Sequence, residues 1–144
     1  MKKIFTRSVD PSVTYLLFNV TMLFFRIAVS LEMIFVHGVK KLGIGVAATE
    51  KVPNPLHFPE AFNDVFAAAA NILFPFLVLI GLCTRLATLP TLAVTLTGYF
   101  ILHWNEALLV KDTPFIYSIV FLMILALGPG RFSIDNYISK KLIK

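Results

Sequence analysis

The chain is 144 residues long, 58% hydrophobic and only 15% charged, with 14 Phe and a single Cys, where an average soluble domain is about 45–50% apolar and about 25% charged. This arithmetic excludes a disordered tail, a coiled coil, collagen and a disulfide-stapled secreted module, and it makes lipid the solvent. The net charge of +5 then belongs to topology and attraction to anionic lipid; no basic stripe interleaved with exposed aromatics is present to hold nucleic acid.

A helix needs roughly 20 mostly apolar residues to cross hydrocarbon about 30 Å thick, because each residue advances about 1.5 Å and every backbone amide must be paired internally. Four stretches approach this, near 13–42, 65–83, 86–104 and 114–128. The expectation is one all-α domain, an integral membrane four-helix bundle.

The first stretch follows Lys2, Lys3 and Arg7, as in a secretory signal, but it is long, contains Arg26 and Glu32, and lacks a small-residue cleavage site; it is expected to be retained. Arg26 falls about midway along it, and His37, Lys40 and Lys41 close its far end. Arg26 and His37 are 11 residues apart and share a helix face, whereas Glu32 points elsewhere. The segment 43–63, with Pro53, Pro55 and Pro59, is too polar for a span and reads as an outer loop.

The second stretch carries Asn71 and Pro75, and Thr84-Arg85 links it to the third, which carries Pro90 and ends at His103-Trp104-Asn105-Glu106. Thr113-Pro114 resembles an N-cap with proline in the first turn, which makes the fourth span short; Gly128-Pro129-Gly130 ends it. In the tail, Ile134, Tyr137, Ile138 and Leu142 recur at near-helical spacing beside Lys140, Lys141 and Lys144, the pattern of a short interfacial helix.

Basic residues set the orientation. With a cytoplasmic N-terminus the inner side holds eight of them, Lys2, Lys3, Arg7, Arg85, Arg131, Lys140, Lys141 and Lys144. The outer side holds Lys40, Lys41, Lys51 and Lys111, and most acids also lie there. Both termini are therefore expected in the cytoplasm, with Arg85 and Arg131 serving topology or lipid contact.

Ionisable groups within a span cost about 2.5–3.5 kcal/mol each on insertion scales and demand a partner or a function. Arg26 is expected to act in helix packing, as an intramembrane pair or carbonyl clasp, or as a relay. Because the spans alternate in direction, His37 and Lys41 reach the depth of His103 and Glu106, with Glu32 and Asn71 one or two turns deeper. These six form the candidate ligand-binding set, a polar pocket in the outer half of the bundle. Its chemistry suits a quinone, whose carbonyls need donors and whose reduction needs proton relays; end-of-helix His, Trp and Lys also serve as plain interfacial anchors. A haem between His37 and His103 is disfavoured without a cavity for the macrocycle. His57 in the loop reads as solvated, and no metal site is expected. Cys83 alone permits no intramolecular dithiol chemistry. Phosphate-cradle, nucleophile-elbow and zinc-protease motifs are absent, so no catalytic residue is assigned.

Four segments carry a family resemblance: Phe35-Val36-His37-Gly38-Val39-Lys40-Lys41-Leu42, then Leu79-Ile80-Gly81-Leu82-Cys83-Thr84-Arg85-Leu86, then His103, and finally Gly128-Pro129-Gly130-Arg131-Phe132-Ser133-Ile134-Asp135. In this order they resemble the DoxX family of small bacterial membrane proteins. The resemblance implies a four-helix subunit of the bacterial inner membrane associated with redox complexes, thiosulfate-to-quinone electron transfer or oxidative-stress and thiol homeostasis, and hence a partner protein. Members often carry a Glu about 14 residues before the Thr-Arg turn, and this chain has Asn71 there, an amide without a proton acceptor.

Two functions compete. One is a membrane subunit of a quinone-linked redox complex, not catalytic alone; the other is a non-catalytic scaffold or assembly factor whose buried polar groups specify helix pairing. Solute transport has thin support, from Pro75 and Pro90. Lipid is the certain partner, and a homo-oligomer is compatible with either function.

Overall fold

The structure is a computed structural model and describes residues 14–142. Among these residues every regular element is helical, and four helices are long and apolar enough to cross a membrane: Tyr15–Leu42, Glu60–Ile80, Thr84–Leu102 and Leu108–Leu127. The expected four-helix membrane architecture is what forms. The first span is α1 (Tyr15–Glu32) continued by a π-helical turn (Met33–Gly38) and a 3-10 turn (Val39–Leu42). The second is α2 (Glu60–Asn71) and α3 (Leu73–Ile80), and the third is α4 (Thr84–Thr97) followed by a second π turn (Gly98–Leu102). The fourth is α5 (Leu108–Leu127), and α6 (Ile134–Leu142) follows it. The basic residues Lys2, Lys3, Arg7 and Lys144 lie outside the described residues.

The first span packs on the second, the second on the third and the third on the fourth. Met33, Val78, Ala87, Leu92, Phe121 and Ile124 form the buried apolar core. Between membrane helices close packing and polar contacts replace the hydrophobic drive that water supplies, and the chain supplies both. Gly38 meets the second span so closely that a Cβ there would fall 2.7 Å from the Asn71 carbonyl oxygen and 2.6 Å from Ile72 Cγ1. Thr91 Oγ1 donates to the Ala70 carbonyl at 2.7 Å, tying the third span to the second.

Three local readings need adjustment. The fourth helix begins at Leu108, six residues before Pro114. Within that helix Ser118 Oγ donates to the Pro114 carbonyl at 2.7 Å, and Lys111 in the new first turn donates to the Trp104 carbonyl. Thr84 begins the third helix, so Gly81, Leu82 and Cys83 make the link. Arg26 is level with the ends of the other three spans: its guanidinium lies against Gly81 and reaches the segment after α5. At about 1.5 Å per residue the first span is roughly 42 Å long, so its opening turns run past its neighbours, and residues 128–133 fold back along them.

That fold-back closes one end of the bundle. Arg26, 1% exposed, donates through Nη1 to the Pro129 carbonyl at 3.0 Å and through Nη2 to the Phe132 carbonyl at 2.8 Å. The Arg131 N–H donates to Asn19 Oδ1 at 2.5 Å. Asp135 caps α4 from a distance: its carboxylate accepts from the Cys83 N–H (2.6 Å), the Thr84 N–H (2.9 Å) and Thr84 Oγ1 (2.8 Å), satisfying orphan donors at a positive helix terminus. Arg85 donates to the Ala126 carbonyl at 3.3 Å and lies beside Gly128, while Arg131 is exposed.

Candidate functional site

Three of the four spans lose helical regularity around one cavity at the opposite, loop-bearing end. In the first span the irregularity is the π turn Met33–Gly38, and in the third it is Gly98–Leu102, closed by the His103 N–H donating to the Gly98 carbonyl at 3.0 Å. The second span breaks at Ile72 (φ −123°, ψ −65°). Pro75 explains that break, since its ring lacks a donor for the Asn71 carbonyl and collides with it. The fourth stays one continuous α-helix there, with Pro114 inside it. π turns and breaks of this kind cost hydrogen-bond geometry and cluster at functional sites.

The cavity measures about 330 Å³, within the usual range of small-molecule sites. The π turn of the first span places Met33 and His37 on its wall, the break in the second exposes Asn71, and Thr95, Gly98 and His103 come from the third. Tyr117 joins from the fourth, its ring edge-on to His37 with centroids 5.2 Å apart.

The polar atoms are partly committed. Lys41 lines the cavity; its ammonium donates to the His37 carbonyl at 3.1 Å and lies 3.6 Å from Glu50 Oε2 of the loop, leaving at least one of three donors for a ligand. Asn71, 3% exposed, donates through Nδ2 to the Ala67 carbonyl at 2.9 Å. His103 Nδ1 lies 3.1 Å from Glu106 Oε2, off the axis of a hydrogen bond, and this buried nitrogen has no aligned partner among the described residues. Ser118 Oγ and Thr95 Oγ1 lie 3.0 Å apart, in hydrogen-bond contact, beneath the cavity.

Of the six candidate ligand-binding residues, the fold gathers His37, Lys41, Asn71 and His103 on one wall. Glu106 touches the cavity only through His103, and Glu32 is exposed on the outside of the first span. Arg26 lies at the far end of the bundle, in the clasp. Sequence reasoning missed Tyr117 and Thr95. The signal for Thr95 was available: Thr84, Thr88, Thr91 and Thr95, spaced four, three and four residues apart, lie on one helix face, and all four are buried.

Comparison with known proteins extends the picture. A curated protein of Haemophilus influenzae (strain ATCC 51907 / DSM 11121 / KW20 / Rd), described only as an uncharacterized protein, is 27% identical over 96 residues, which is 63% of this chain. The aligned part spans 64% of that relative's own length. No solved structure matches the chain. The DoxX family model matches residues 21–104, the stretch that holds the clasp arginine, both π turns and His37, Lys41, Asn71 and His103. With more than half its length under that match, the chain belongs to the DoxX family.

Proposed function

We propose that the chain is a membrane subunit of a quinone-linked redox complex, and that the loop-end cavity holds the quinone ring. One observation carries this reading: three spans depart from regular α-helix beside one hollow, and the four spans together bring His37, Lys41, Asn71, His103 and Tyr117 around it. A quinone, when bound, supplies the capacity to accept two electrons and two protons. The remaining Lys41 donor suits its carbonyl oxygens. His37 and His103 would hold and pass protons at those oxygens, and Glu106, 3.1 Å from His103, would connect that path to the water outside. The electrons come from a partner protein that oxidises a thiol or thiosulfate, because one cysteine cannot form a disulfide within the chain. The bias of basic residues supports a bacterial inner membrane with both termini in the cytoplasm.

A scaffold role has its own support. The residues around Gly128-Pro129-Gly130-Arg131 and Gly81-Leu82-Cys83-Thr84 are committed to the Arg26 and Asp135 clasp, where they hold the bundle together and line neither the polar cavity nor its apolar neighbour.

Gently purified protein distinguishes the two. Wild type should carry quinone detectable by extraction and mass spectrometry, and His37→Ala and His103→Ala should lose it while remaining folded. Trp104, the single tryptophan, stands next to His103 and should be quenched when quinone is added back. Equal quinone content in wild type and both variants sinks the cavity assignment and favours the scaffold.

A further inference from the structure

The cavity has an apolar neighbour of about 440 Å³. Phe62 and Phe66 wall it from the second span, Ala93 and Val94 from the third, and the loop roofs it with Leu56 and Phe58. The aromatics form a continuous strip: Phe58 meets Phe62 edge-on at 5.5 Å, and Phe62 stacks on Phe66 at 5.9 Å between centroids. The cleft and the polar cavity share three residues, Lys41, Val94 and Gly98. One wall therefore serves an apolar hollow on one side and a polar one on the other, with a cation and a residue without a side chain at the junction.

We propose that the apolar cleft takes the prenyl tail of the quinone whose ring occupies the polar cavity, with Lys41 and Gly98 marking the passage between them. The proposal rests on the quinone reading above and adds a second subsite to it. Three observations support this occupant. The two hollows adjoin, with Lys41, Val94 and Gly98 lining both, so a tail leaving the ring there is next to the cleft. The cleft is covered by the loop, which distinguishes it from the open lipid-facing grooves of the spans, where any acyl chain would lie. Its lining is apolar apart from Asn63, Thr97 and, at the end shared with the polar cavity, Lys41, as a hydrocarbon tail requires. The Lys41 ammonium at that end is balanced by Glu50 and the His37 carbonyl, so the passage presents a donor without an uncompensated charge.

The test uses full-length protein in detergent, titrated with a tail-less dimethoxy-methyl-benzoquinone and with the same ring bearing a prenyl tail, followed by Trp104 emission. Each quinone is compared between variants, so its partition into micelles cancels. Ala93 is exposed at the cleft, so Ala93→Phe fills the hollow without disturbing the core. This variant should weaken the tailed quinone at least tenfold and leave the tail-less one within twofold, while His37→Ala weakens both. A tailed quinone unaffected by Ala93→Phe, with the tail-less one still bound, overturns the cleft and leaves the ring site standing. Failure of either quinone to saturate wild type overturns both. A diazirine at the tail end gives a readout on wild type alone: label on residues 56–67 and 93–98 supports the cleft. Label on the lipid-facing Phe24 or Ile119, or label competed equally by phospholipid, overturns it.

Discussion

Arg26 Nη2 stands 2.8 Å from the carbonyl oxygen of Phe132, a residue 106 positions along the chain, and Nη1 of the same guanidinium reaches Pro129 at 3.0 Å. The planar fork matches two carbonyls on one turn, which a lysine ammonium cannot reproduce. Hydrogen bonds from a charged donor contribute about 1.5–3 kcal/mol each, and orphaning buried carbonyls adds a desolvation cost. Arg26→Ala should therefore destabilise the protein by about 3 kcal/mol or more, and Arg26→Lys should recover less than half of this. Thermal unfolding in detergent measures both. An Arg26→Ala protein as stable as wild type would show that the fold-back segment does not need the clasp.

Asp135 works on the other side of the same segment. Its carboxylate accepts from two backbone N–H groups and a hydroxyl at the start of α4, and caps of this kind are worth about 1–2 kcal/mol. Asp135→Ala should cost about 2 kcal/mol and Asp135→Asn about 1. Because Gly81, Ser133 and Arg26 crowd together between the two ties, the Arg26→Ala and Asp135→Ala losses should be less than additive in a double-mutant cycle. Strict additivity would mean two independent ties.

Two glycines near the cavity should respond with opposite signs. A methyl on Gly38 would sit 2.7 Å from the Asn71 carbonyl oxygen, so Gly38→Ala must push the first span off the second, at about 1–3 kcal/mol. A methyl on Gly98 would meet Pro114 Cβ at an ordinary 3.5 Å; with helical φ and ψ around it, Gly98→Ala should be neutral or stabilising by up to about 1 kcal/mol. Unfolding midpoints that move the same way for both would contradict the packing.

The four spans are legible in the sequence because lipid imposes a length and composition that no local propensity overrides. Half of the candidate site is legible for the same reason: alternating spans let His37, Lys41, Asn71 and His103 be placed at similar depth by counting. The rest depends on contacts that counting does not contain. Local rules set the fourth start at Thr113-Pro114, whereas the helix runs back to Leu108, where Lys111 ties its first turn to the Trp104 carbonyl. The π turns change helix phase without a change in composition. The Arg26 clasp joins residues more than 100 apart, so its motif segments read as turns and topology signals until the chain is folded.

Glu32 provides a negative control for the cavity. It is exposed on the outer face of the first span and lines no part of the hollow, although its carboxylate lies on a spanning helix. Glu32→Gln removes a charge from a spanning helix, so it should leave stability unchanged or raised and leave quinone content unchanged. Quinone lost from Glu32→Gln, with folding intact, would move the site toward the first span's outer surface.

Lys111 connects the last turn of the third span to the first turn of the fourth. Its ammonium donates to the Trp104 carbonyl and lies 5.3 Å from the Trp104 ring and 5.7 Å from the Tyr99 ring. Cation–π contacts at such exposed positions are worth about 0.5–1 kcal/mol, and the hydrogen bond contributes a similar amount. Leu108 and Leu109, 81% and 86% exposed, add little intramolecular packing to that turn, so the tie is what commits residues before Pro114 to helix. Lys111→Met keeps the apolar stem and removes the charge; it should cost about 1 kcal/mol, shift Trp104 emission, and raise amide exchange across residues 104–113 while the rest of α5 stays protected. Unchanged exchange there would show that the early helix start holds without the lysine, and that the cavity wall formed by Thr113, Pro114 and Tyr117 is set by packing alone.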